Sequence, residues 1–226
     1  MICFSSFSQL IDLSMKSGDF IIKQNSDCDI SDSDSYRMLF FNNMPTENQK
    51  INLEQLGVKF LYYLTKNIFV VNLKQNLTQN NLSEFDITSI NPILSTYKID
   101  FKLQKETFPS WSMKNNLLYI NILLFKDVGI STHLEKIAML SESIEDINEI
   151  SKSITLSVNP DNLDLISQLP FVSYIEPIDP PAEPENYSAR TLHRSNIINT
   201  NFVGGRKYNG DGVNVMMHDD GYVGPH

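Results

Sequence analysis

Two stretches of this chain, residues 36–101 and 117–178, carry the same succession of local patterns. That repetition constrains the fold more than any other feature, because a supersecondary unit used twice restricts the architectures available. Each stretch reads strand, helix, strand, strand, helix, strand. In the first, Tyr36–Phe41 is an aromatic and apolar run ended by the turn signal Asn42-Asn43. Thr46 followed by Gln49 predicts a capping box, with Ile51, Leu53 and Leu56 on the helix behind it and Gly57 closing it. Val58–Leu64 and Ile68–Leu73 are β-rich runs joined through Thr65-Lys66-Asn67 as a hairpin. Leu82, Phe85 and Ile90 mark a second helical face, and Ile93–Ile99 is the expected closing strand.

The second stretch begins with the apolar strand Leu117–Phe125. Thr132 with Glu135 predicts another capping box, and Leu134, Ile137, Ala138 and Met139 supply the helix face. Ile144–Ile150 and Ser153–Val158 read as two strands. Asn159 caps a helix whose first position tolerates Pro160, and Leu163, Ile166 and Leu169 follow at helical spacing. Phe171–Ile175 is the final strand. The reading is therefore α+β, with two tandem split-βαβ (ferredoxin-like) modules at 36–101 and 117–178. Little residue identity links the two passes, so the repeat rests on pattern.

The flanks read differently. Residues 1–35 are expected to be a flexible acidic N-terminal segment, ending in Asn25–Ser35 with Asp27, Asp29, Asp32 and Asp34. A calcium loop of the EF-hand kind also needs a turn glycine and a closing glutamate, and neither is in place. Residues 179–187 form a Pro-rich linker, since Glu176–Glu185 holds four prolines and cannot donate a continuous backbone ladder.

Composition enters mainly by exclusion. A net charge of -9 argues against nucleic acid as a partner, because phosphate binding needs a basic surface. No apolar run approaches a membrane span. The first residues lack the positive charge and apolar core of a signal peptide. Cys3 and Cys28 both lie near the start, so neither a disulfide framework nor a cysteine zinc site is expected in the body of the fold.

The last segment, 188–226, carries the chemistry. Gly210-Asp211-Gly212-Val213 leads into an apolar strand, Val213–Met217, then Asp219-Asp220-Gly221, with His226 seven positions after Asp219. This resembles the aspartate motif of the subtilisin-like serine protease family, in which a buried parallel strand delivers the triad aspartate. The resemblance implies that Asp219 is the catalytic aspartate, and that His226 is the family's non-catalytic histidine rather than the general base. A triad aspartate must be ionised and rigid to fix the histidine tautomer, and the end of a central strand supplies that rigidity. The family's order along the chain is Asp, His, Ser, so the other two members are expected beyond residue 226. His218 and Tyr222 depart from the residues the family favours at those places.

Leu169-Pro-Phe-Val-Ser-Tyr-Ile-Glu-Pro177 resembles the last strand of subtilisin propeptides, themselves β-α-β-β-α-β modules. Asn52–Tyr63 resembles, more loosely, propeptide-like regions of long bacterial members. The resemblance implies an N-terminal part of a serine endopeptidase zymogen: two propeptide-type modules that chaperone and inhibit, then the opening of an α/β catalytic domain. Alone, this segment is expected to be inactive. Its implied partners are its own or a cognate subtilisin-like catalytic domain and, for the full enzyme, a peptide or protein substrate; no nucleic acid or membrane is expected. No cofactor is expected in this segment, with calcium a possibility in the catalytic domain. Secretion or the cell envelope is the location the family implies. The rival reading is a stand-alone protease inhibitor or folding chaperone acting in trans.

Other residues invite blander readings. His133 is expected on a helix surface, and Trp111 as a packing plug between modules. His193 and Ser195 lack an orienting acid and are not expected to be catalytic. Asn76-Leu-Thr78, Asn81-Leu-Ser83 and Asn186-Tyr-Ser188 match glycosylation acceptors, a pattern common by chance.

Overall fold

A computed structural model describes residues 10–23, 35–104, 108–181, 198, 200, 203–208 and 211–212. These fall into two units, residues 1–179 and 180–226. The first unit is α+β, as the sequence patterns require.

The first difference from expectation comes at once. Part of the segment assigned as flexible forms an antiparallel hairpin, β1 (Leu10–Met15) and β2 (Gly18–Lys23). Leu13 and Ile22 are buried in it. Short strands flanked by polar residues show only a faint apolar alternation, so the pattern is hard to see in sequence. Gly18 sits at φ +136° in the turn, a conformation open mainly to glycine.

Next come β3 (Ser35–Phe41), α1 (Glu47–Gln55), β4 (Val58–Tyr63), β5 (Ile68–Leu73), α2 (Gln79–Glu84) and β6 (Ile87–Pro92). The strands pair antiparallel in the order β4-β5-β3-β6. Thr46 caps α1 as expected: its hydroxyl accepts from Gln49 N, and Gln49 Oε1 accepts from Thr46 N at 2.9 Å. Lys66 and Asn67 both hold positive φ, the left-handed pair that a tight hairpin between β4 and β5 needs. A second capping box, Thr78 with Asn81, starts α2.

The closing strand lies earlier than expected. Residues 87–92 pair with β3, whereas Ser95–Lys98 form a short helix, α3. Polar Ser89 and Asn91 conceal the strand in the sequence, yet both are buried. Their polarity is accommodated locally: Ser89 Oγ donates to Asn91 Oδ1, and Asn91 Nδ2 donates to Lys23 O of β2 at 2.7 Å.

The chain then continues through β7 (Met113–Lys114), β8 (Leu117–Leu124), α4 (Leu134–Ala138), β9 (Ser143–Asn148), β10 (Ser153–Val158), α5 (Leu163–Gln168) and β11 (Val172–Pro177). This sheet is also antiparallel, ordered β11-β8-β10-β9, with β7 paired to β8. The capping box expected at Thr132 and Glu135 does not form. His133 N donates to Ile130 O, so Thr132 lies inside a turn, and α4 starts after His133 without a side-chain cap. Asn159 does cap, accepting from Asp161 N ahead of a 3-10 turn that leads into α5.

The two sheets share one core. Every residue of β5 is buried, because Phe69, Val71 and Leu73 face Leu53, Leu82 and Phe85 while Ile68 and Val70 face the other way. That second face joins a cluster containing Leu13 and Ile22 of the hairpin and Leu118, Ile120 and Ile122 of β8. A strand covered on both sides reads as an unbroken apolar run, which matches Ile-Phe-Val-Val-Asn-Leu. Ile99 bridges Ile175 in parallel, and Asp100 N donates to Ile175 O at 2.8 Å, so the end of the first stretch lies along β11.

In the second unit the described residues include turns at 203–204 and 211–212. Tyr208 N donates to Ile198 O at 2.8 Å, and Gly204, Lys207 and Gly212 have positive φ. A side chain at Gly205 would meet Thr200 O at 2.2 Å, so this position admits no Cβ.

Candidate functional site

The feature of the first unit best placed for a partner is the outer face of the second sheet. Along β8, Leu118, Ile120, Ile122 and Leu124 are buried, while Leu117, Tyr119, Asn121 and Leu123 are only half-buried. The period of two puts these sets on opposite faces. Ile137 of α4 and Leu163 and Ile166 of α5 pack in the same cluster as the buried set, so both helices lie on that side.

The register defines the opposite face. One row across it is Glu176, Asn121, Thr155 and Asp146, from β11, β8, β10 and β9 in turn. The next includes Tyr119, Ser157 and Ser143. Thr155 Oγ1 donates to Asn121 Oδ1 at 2.6 Å, and the Ser143 and Ser157 hydroxyls are 2.6 Å apart. Such cross-strand polar pairs hold the side chains in fixed positions, with Ser157 itself buried. The surface is hydroxyl-rich and acidic at its ends. Ser143 Oγ also donates to Glu145 Oε1, so the polar groups of this face are held in place for binding.

Where the chain leaves this sheet is also fixed. β11 ends at Pro177, and Trp111 Nε1 donates to Ile178 O at 3.0 Å, holding the start of the exit. Trp111 is 38% exposed, so it is not the buried plug expected of it. Its indole acts on the backbone of the departing chain, with the flanking Ser112 buried beneath.

His133 is half-buried, stacked on Phe171 with ring centroids 4.0 Å apart. Burial, helped by the Lys136 charge, holds its pKa below the usual histidine value. It is a packing residue more than a surface one. Thr78 and Asn81 of the first two glycosylation-like tripeptides are tied to each other in the α2 capping box, and the third, Asn186-Tyr-Ser188, lies outside the described residues.

Asp219, His226, His193, Ser195 and the strand expected at Val213–Met217 lie outside the described residues. Gly212 is described and has φ +81°, which explains a glycine just before that segment. Among the described residues no group of three or more His, Cys, Asp or Glu side chains is arranged to hold a metal. No described helix is long and apolar enough to cross a membrane.

Sequence reasoning missed two features. One is the polar face itself, whose signal was the alternation of Tyr119 and Asn121 with leucine and isoleucine in β8. The other is the carboxylate of Asp127 between the two sheets, which no local pattern announces.

A family model described as "Domain of unknown function (DUF8729)" matches residues 12–94. The matched region runs from inside β1 to just past β6, so it takes in the hairpin together with the first sheet. No curated protein and no solved structure matches the chain.

Proposed function

We propose that residues 36–178 are two split-βαβ modules of the subtilisin-propeptide kind, acting as folding chaperone and inhibitor of a subtilisin-like catalytic domain. Residues 188–226 open that domain, and Asp219 is its orienting aspartate. The observation that carries this reading is the strand order. Both sheets run as last-first-third-second within a β-α-β-β-α-β succession. The second sheet also leaves one polar face free of its own helices, and its final strand runs straight into a proline-rich exit.

The mode of action rests on those parts. The outer face of the second sheet docks on the protease, and the extended chain after Pro177 lies in the substrate cleft as an added strand, bound through its backbone. The four prolines in the sequence Glu176–Glu185 lower the entropic cost of binding in that mode. In the full enzyme, a serine attacks the peptide carbonyl, a histidine takes its proton, and Asp219 fixes the histidine tautomer and stabilises its cation.

Sequencing of the gene past the codon for His226 tests the catalytic half of this proposal. An open frame with a His-Gly-Thr-His-like segment and later a Gly-Thr-Ser-like segment is expected. A stop codon there overturns the protease half and leaves an inhibitor or chaperone acting in trans, or a degraded frame that keeps only a binding role.

A further inference from the structure

A cavity of about 310 Å³ lies where the β1–β2 hairpin, the first sheet and the second sheet meet. That volume is at the lower end of the roughly 300–1,000 Å³ typical of small-molecule sites. Met38 of β3, Val70 of β5 and Ile93 form apolar wall, and Phe125 after β8 closes another side.

Two residues of the hairpin turn break the apolar lining. Ser17 is 1% exposed, and its hydroxyl has no hydrogen-bond partner among the described residues. A buried hydroxyl left unpaired costs stability, so a native protein keeps one where something else satisfies it. Tyr174 at the lining already donates to Asp100 at 2.9 Å, and the Tyr62 oxygen accepts from Lys126 N at 3.2 Å. Lys16, at the cavity with its Nζ 5.9 Å from the Tyr174 ring, is the only charged residue in the lining among the described residues.

We propose that this cavity binds a small ligand with an apolar body and a single carboxylate, the body among Met38, Val70 and Ile93 and the head between Ser17 and Lys16. The carboxylate accepts from the Ser17 hydroxyl and meets the Lys16 ammonium, while the apolar chain fills a space that water occupies poorly. Tyr174 in the lining stands two residues before Glu176 on β11, so the cavity borders the polar sheet face, but the proposal does not rest on the protease reading.

Titration of the intact chain with octanoate, octan-1-ol and N-acetyl-leucine, followed by calorimetry and by methyl NMR of Met15 and Met38, tests the proposal. Saturable binding of a carboxylate, at least tenfold tighter than octan-1-ol, is expected. Octanoate binding better than N-acetyl-leucine assigns a free aliphatic acid, and the reverse assigns a chain terminus; either fits the proposal. Lys16→Gln should erase the preference for the acid, Ser17→Ala should weaken the acid severalfold, and Ile93→Phe should fill the cavity and abolish binding. Near-wild-type thermal unfolding of Lys16→Gln and Ser17→Ala shows that the losses are not unfolding. No saturable binding, equal binding of acid and alcohol, or insensitivity to Lys16→Gln overturns the proposal.

Discussion

Asn72 Nδ2, in the strand buried on both faces of the first sheet, donates a 2.9 Å hydrogen bond to Asp127 Oδ2, just after the first long strand of the second. Tyr36 donates to the other oxygen at 3.2 Å, and its ring stacks on Phe125 with centroids 3.9 Å apart. Lys59 approaches the same carboxylate at 3.8 Å but is largely exposed, so its share is small. Burial and the adjacent Asp127 charge push the Tyr36 pKa up, keeping the hydroxyl a donor.

Asp127→Ala should therefore be costly. It leaves an amide and a phenol without their acceptor in a site where the carboxylate is only 5% exposed. A loss of about 2–4 kcal/mol is expected in urea denaturation, with Tyr36→Phe losing about 1 kcal/mol. A double-mutant cycle with Asn72→Ala should show coupling of at least about 0.5 kcal/mol. Additive losses would mean the two side chains do not act together.

Because the two sheets share one core, they should unfold together. Phe125→Ala is expected to cost about 3–5 kcal/mol and to lower a single cooperative transition rather than split it. Two separate transitions in calorimetry of the intact chain would contradict the shared core.

The hairpin should count as part of that core. Leu13 is 1% exposed, and Leu13→Ala is expected to destabilise by about 2–5 kcal/mol. An effect within about 0.5 kcal/mol, as for a surface substitution, would show that the hairpin does not contribute to the fold.

Lys98 gives a pH signature. It is buried, donates to Leu169 O at 2.9 Å, and burial lowers its pKa to about 8. Between about 8 and the unfolded value of 10.5 the unfolded chain binds the extra proton, so stability rises with pH across that window. Tyr36, Tyr62, Tyr97 and Tyr174 have raised pKa values and work in the opposite direction from about pH 10 upward. From pH 8 to 9.5 the wild type should thus gain on the order of 1–2 kcal/mol over Lys98→Met. A flat difference between the two proteins across that range would contradict a depressed lysine.

Much of the fold was legible because local chemistry and tertiary structure agree. Thr46 with Gln49, the left-handed Lys66-Asn67 pair, and the apolar runs at 68–73 and 117–124 each specify their own conformation. Where they disagreed, tertiary contacts decided. Asn91 and Ser89 look like loop residues, yet they are buried because each has a partner supplied by the fold. Thr132 has the residue type of a helix cap but sits within a turn one residue too early. The hairpin and the Asp127 network were hidden for a different reason, since both draw their stability from residues tens of positions away. Of the candidate site, the departing strand β11 was legible, while its polar neighbours showed only as an alternation.

The most direct test of the central proposal is inhibition. The intact chain, titrated into a subtilisin-like protease cleaving a chromogenic peptide, should inhibit at submicromolar concentration and leave a trypsin-like serine protease untouched. Ending the chain at Pro177 should weaken inhibition by at least tenfold, because the segment assigned to the cleft is gone. Unchanged hydrolysis by the subtilisin-like enzyme at saturating chain would contradict the proposal that these sheets form propeptide-type inhibitory modules.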